Sequence, residues 1–123
     1  MTTVGIVGAS GFIGRRTVEL LDQHGFTVRP IIRTQASASR LPSQDYDYRI
    51  ANAFDRSALQ KAFQGCDVVI HSVLGSAGLI RGAIAPAYQA AQAAGVRRFI
   101  YLSTMCVHGQ APVPGTDESS PLI

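Results

Sequence analysis

The segment Gly8-Ala9-Ser10-Gly11-Phe12-Ile13-Gly14 constrains this chain more than any other. It follows the apolar run Val4-Gly5-Ile6-Val7 and opens a stretch in which Ile13, Val18, Leu20 and Leu21 recur near helical spacing. A buried strand, a glycine turn and a helix start, in that order, form a cradle for an anion. The glycines allow a tight turn, a close approach of ligand and a close packing of helix on strand. The helix start adds free N–H groups and the positive end of a dipole. The spacing is G-x-x-G-x-x-G, one residue wider at its first interval than the usual G-x-G-x-x-G fingerprint of dinucleotide binding. Gly8, Ser10, Gly11, Phe12, Ile13 and Gly14 are the candidate contacts of such a pyrophosphate.

Strand and helix patterns then alternate at short intervals. Strands are expected over Thr3–Val7, Thr27–Ile32, Tyr46–Ala51, Asp67–Val73 and Arg97–Ser103. Helices are expected over Gly11–His24, from Asp55 to about Gln64, and over Leu79–Ala94. Gly25, Gly65 and Gly95 stop them, residues 34–44 read as loop, and Pro86 argues for a kink or a later start of the last helix. Alternation implies parallel pairing with right-handed crossovers, and apolar strands imply a sheet covered on both faces. The expected fold is α/β, a doubly wound parallel sheet ordered 3-2-1-4-5 in one domain spanning residues 1–123. Its ligand should lie at the carboxyl ends of the strands, where strands one and four diverge.

Composition narrows the function classes. The 123 residues are 46% apolar and 15% charged, which suits a buried core and excludes a disordered chain. The net charge is +3, but no basic run exceeds two residues and aromatics are sparse, so nucleic-acid binding has no support. Cys66 and Cys106 are far apart with no C-x-x-C, so neither a disulfide framework nor a metal site is expected. Two reduced thiols and no apolar leader before the first strand fit a cytoplasmic protein. The uncharged stretch from Gly82 to Val96 is too short and too polar to span a membrane.

The order and spacing of four segments resemble the extended short-chain dehydrogenase/reductase family, the NAD(P)-dependent epimerases and dehydratases. They are Gly8–Gly14, Asp67-Val68-Val69-Ile70-His71, the run from Ala94 to Thr104, and Val107-His108-Gly109. The resemblance implies a Rossmann-type domain and hydride transfer at a carbinol or sugar-like carbon. It places Thr104 at the family's Ser/Thr position, holding the substrate oxygen, with Ser103 beside it among the cofactor contacts. It also implies a Tyr-x-x-x-Lys pair on one helix face. Here the residues four beyond Tyr46, Tyr48, Tyr88 and Tyr101 are Ile50, Asn52, Gln92 and Met105, and the only lysine is Lys61. The chain therefore reads as the N-terminal, cofactor-binding portion of such an enzyme, with the substrate region beyond it.

The second strand's end chooses the cofactor. No carboxylate stands at Ile32 to hold ribose hydroxyls, and Arg33 follows, a residue that grips phosphate through paired donors. NADP is preferred over NAD on that ground. By the resemblance, Asn52 meets the adenine amino group where the family has an aspartate, and Ala53 flanks the ring. His71 reads as a core histidine. An alternative reading is a non-catalytic, dinucleotide-binding redox sensor, which the absent Tyr and Lys would suit. With strand five left as an edge, its unpaired backbone groups would also permit a homodimer.

Overall fold

The computed structural model of the chain describes residues 1–103 and 113–122. Five parallel strands form one sheet: β1 (Thr3–Val7), β2 (Thr27–Ile32), β3 (Arg49–Ile50), β4 (Val68–His71) and β5 (Arg98–Tyr101). Their order is β3-β2-β1-β4-β5, the doubly wound order expected from the alternation. The register sets Ile31, Val7, His71 and Tyr101 side by side at the carboxyl ends of four strands. Above that row the chain turns off the sheet, and there the cleft described below opens.

Helices cover both faces, as a sheet of Val and Ile on each side requires. On one face Val4, Ile6, Val28 and Ile32 pack with Val18 of α1 (Phe12–Gln23). Ala38 and Leu41 of the β2–β3 connection extend that layer. On the other face Val7, Ile31 and Val69 pack with Leu59 and Phe63 of α2 (Arg56–Phe63) and with Ala87, Ala90 and Ala91 of α3 (Ala77–Ala93). Small alanines let α3 lie close against both α2 and the sheet. No helix among the described residues is long and apolar enough to cross a membrane.

The helix boundaries follow local chemistry. Asp55 caps α2 by accepting a hydrogen bond from the Ala58 N–H at 3.1 Å, as its position suggested. α3 starts earlier than Leu79 because the Ser76 hydroxyl caps it, accepting from the Leu79 N–H at 3.2 Å. Pro86 sits inside α3 and removes one helical donor, yet the helix continues through it, held by buried Ala83 and Ala87 on either side. β3 is shorter than the Tyr46–Ala51 run. The Tyr48 N–H turns back to the Tyr46 carbonyl at 2.8 Å, and their phenol groups bond Asp22 and Gln35, so residues 46–48 never join the ladder. The expected loop 34–44 contains a 3₁₀ turn, Gln35–Arg40, capped by Thr34.

Candidate functional site

A cleft of about 280 Å³ runs across the carboxyl ends of β1, β2 and β4. Its floor is the β1–α1 turn. Gly8 has φ +82°, and a Cβ there would lie 2.2 Å from the Ser72 carbonyl oxygen. Gly14 faces the same turn from the helix, where a Cβ would lie 2.1 Å from the Gly8 carbonyl oxygen. That oxygen also accepts a hydrogen bond from the Gly11 N–H at 3.1 Å. The fold thus forbids a side chain at Gly8 and Gly14.

Gly11 is a different case. Its backbone is extended (φ −77°, ψ 177°), and an added Cβ would meet only the Gly8 oxygen at an ordinary 3.4 Å. Nothing in the packing demands glycine there, whereas a ligand approaching the turn would. α1 also begins without a side-chain cap, so the N–H groups of Phe12 and Ile13 have no acceptor among the described residues. No acidic residue occupies the first turn. An uncapped helix start, a bare Cα and the positive dipole end together suit a pyrophosphate.

The other end of the cleft is built from side chains. Arg33 follows β2, and Ser37 and Arg40 come from the 3₁₀ turn; all three line the cleft, together with Ala51 and Ala53. No carboxylate is among the described residues that line it. Asp47, an acidic group of the β2–β3 connection, is turned onto Arg49, whose Nε and Nη2 donate to its two oxygens at 3.0 Å. Arg29 approaches the same carboxylate at 3.4 Å. These guanidinium groups, Arg49 foremost, hold the Asp47 carboxyl below its usual range. The residues just after β4, Ser72, Val73 and Leu74, close the cleft opposite Arg33.

The structure brings Gly8, Ser10, Gly11, Phe12, Ile13, Arg33 and Ala53 to this one cleft. Gly14 supports its floor from behind. Asn52 and Ser103 are exposed and do not line it; the Asn52 amide oxygen accepts from the Phe54 N–H at 2.9 Å. Thr104 lies outside the described residues. Arg16 stacks its guanidinium 3.7 Å above the exposed Phe12 ring and donates to the Phe12 carbonyl. His71 is buried between Phe99, Tyr101 and α3, with no hydrogen-bond partner for either ring nitrogen among the described residues. Burial lowers its pKa, and the nearby Ala83 carbonyl offsets this only in part.

Sequence reasoning did not single out Ser37, Arg40, Ser72, Val73 or Leu74. The last three have a usable signal: they follow the strand where the sheet order reverses. Ser37 and Arg40 have none, because an arginine in a polar loop reads as solvated surface.

A family model described as NAD(P)H-binding matches residues 8–121. A 4-hydroxy-2-methyl-3-oxo-4-farnesyl-3,4-dihydroquinoline-1-oxide ketoreductase from Stigmatella aurantiaca is 25% identical over 95% of this chain and 38% of its own length. The solved NADPH-dependent quinone oxidoreductase from Escherichia coli, in complex with NADPH, superposes with a TM-score of 0.76. It is 28% identical, over 86% of this chain and 38% of that one. A UDP-glucose-4-epimerase from Stenotrophomonas maltophila with bound NAD superposes at 0.81 over the whole chain and 43% of its own, at 22% identity, a likeness of fold. The chain thus spans well under half the length of these proteins.

Proposed function

The chain belongs to this NAD(P)H-binding family, as a Rossmann-type NAD(P)-binding domain homologous to reductases and epimerases, and from that premise we propose that its cleft takes NADP(H) in preference to NAD(H). The observation that carries the preference is the pair Arg33 and Arg40 in a cleft wall with no carboxylate. A 2′-phosphate would meet two guanidinium groups there and no repelling charge, while the ribose diol of NAD would find no acidic acceptor.

Each residue then has a role set by its place. The N–H groups of Phe12 and Ile13 bind the pyrophosphate at the uncapped helix start, and Gly11 admits it. Ser10 offers a hydroxyl beside them. Val73 and Leu74 give the adenine an apolar wall. Asn52 and Ser103 remain candidates at the margins of the site, for adenine and for the nicotinamide side. When bound, the cofactor supplies a hydride donor or acceptor for a carbinol or carbonyl carbon. Thr104, following β5, holds the substrate oxygen through a hydroxyl that can both donate and accept. The whole protein acts as an oxidoreductase, epimerase or dehydratase on a small carbinol or sugar-like molecule, in the cytoplasm.

Calorimetric titration of the 123-residue chain with NADP⁺ and NAD⁺ tests the reading. NADP⁺ should bind at least about tenfold tighter, the worth of one charge-assisted pair. Arg33→Ala should remove most of that difference and leave NAD⁺ affinity nearly unchanged. Tighter binding of NAD⁺ by the unaltered chain would overturn it.

A further inference from the structure

The 3₁₀ turn that delivers Ser37 and Arg40 has little reason to form by itself. Such turns have poor hydrogen-bond geometry and rarely persist without support, and the two serines of Gln-Ala-Ser-Ala-Ser-Arg compete for its backbone groups. It is nevertheless tied at three points. Thr34 caps its start, its Oγ1 accepting from the Ser37 N–H at 3.3 Å and lying 3.0 Å from the Ser37 hydroxyl. The Gln44 side-chain amide donates to the Ala38 carbonyl at 2.7 Å, an oxygen that also accepts from the Leu41 N–H at 3.1 Å. The Gln35 amide donates to the Tyr48 hydroxyl at 2.6 Å. Ala38 and Leu41 are buried under this frame, so the turn has one seat on the sheet.

Neither Gln44 nor Tyr48 lines the cleft. We propose that they are positioning residues for the anion end of the site: by fixing the 3₁₀ turn they aim Ser37 and Arg40 at the phosphate on the adenosine ribose. The inference rests on the NADP(H) reading above. Its physical content is preorganisation. A free arginine on a mobile loop loses rotamer and backbone freedom when it grips phosphate, whereas a tethered turn has already lost it on folding. The tethers should therefore act on discrimination for the 2′-phosphate and leave the rest of the nucleotide's binding alone.

The matched probes are adenosine 2′,5′-bisphosphate and adenosine 5′-monophosphate, which differ only in the 2′-phosphate. Their dissociation constants are measured for the unaltered chain, Gln44→Ala and Tyr48→Phe. Gln44→Ala should cut the preference for the bisphosphate by about three- to tenfold, and Tyr48→Phe by less, since each removes one hydrogen bond from the turn. Affinity for the monophosphate should not change. Two results overturn the proposal while leaving the NADP(H) reading standing: an unchanged preference in both variants, or an equal loss of both ligands, the signature of general loosening. No preference in the unaltered chain would instead refute the NADP(H) reading itself.

Discussion

The two ends of the cleft are made of different material. The β1–α1 end is backbone: Gly8, Gly11 and the N–H groups of Phe12 and Ile13. The β2–β3 end is side chain: Arg33, Ser37 and Arg40 on a tethered turn. A backbone site must leave a local mark in the sequence, because only glycine satisfies it. A side-chain site assembled by packing leaves almost none. One end is thus set by which atoms are missing, the other by which are held in place.

Substitution by a single methyl group should separate the two demands on glycine at the first end, and this is the largest effect expected. Gly8→Ala puts a Cβ 2.2 Å from the Ser72 oxygen at positive φ and should cost about 3 kcal/mol in urea unfolding. Gly11→Ala should shift stability by no more than about 1 kcal/mol, since its φ suits any residue. Yet on the proposed reading it should weaken NADP⁺ and NAD⁺ alike by about tenfold, because the methyl would stand in the path of the pyrophosphate. A Gly11→Ala chain that binds both cofactors normally would break the division between fold glycine and ligand glycine.

The smallest effects place the two ends apart on the pH axis. His71 lies beneath the backbone end, in the strand that leads to Ser72, and burial depresses its pKa from 6.5. The unfolded chain takes up that proton first, so its contribution is complete above about pH 6.5 and declines as the pH falls. Unfolding free energy should drop by at most about 1.4 kcal/mol more between pH 7.5 and 5.5 than in His71→Leu. At the side-chain end Asp47 is shifted down from 3.8 by Arg49. Its pairing contributes fully above that value and is lost only as the pH falls through the lower folded one. Asp47→Asn should therefore lower the curve by a constant amount above about pH 4 and change its slope only below that. Equal acid sensitivity of the two variants near pH 6 would contradict this separation.

How much was legible follows the same line. Sheet order came from the alternation of apolar runs, because βαβ crossovers leave few topologies. Asp55 as a cap and Gly25, Gly65 and Gly95 as stops were readable because each acts on its own neighbours. β3 was overextended since Tyr46 and Tyr48 favour strands locally, while Asp22 and Gln35, distant in sequence, claim their hydroxyls. The start of α3 was missed because Ser76 sits among loop-like residues, and its cap is visible only once the helix exists. Arg33 was legible from its place after a strand. Arg40 was not, because nothing near it in the chain announces the Gln44 bond that seats its turn.

The doubly engaged carbonyl of Gly8, hydrogen-bonded by one glycine and covered by another, has a kinetic consequence. On the reading proposed above, that end needs no rearrangement to receive a diphosphate, so encounter and capture become nearly the same event there. Association should then be governed by diffusion and by the charge of the solute, and selectivity among nucleotides should appear in how long each one stays.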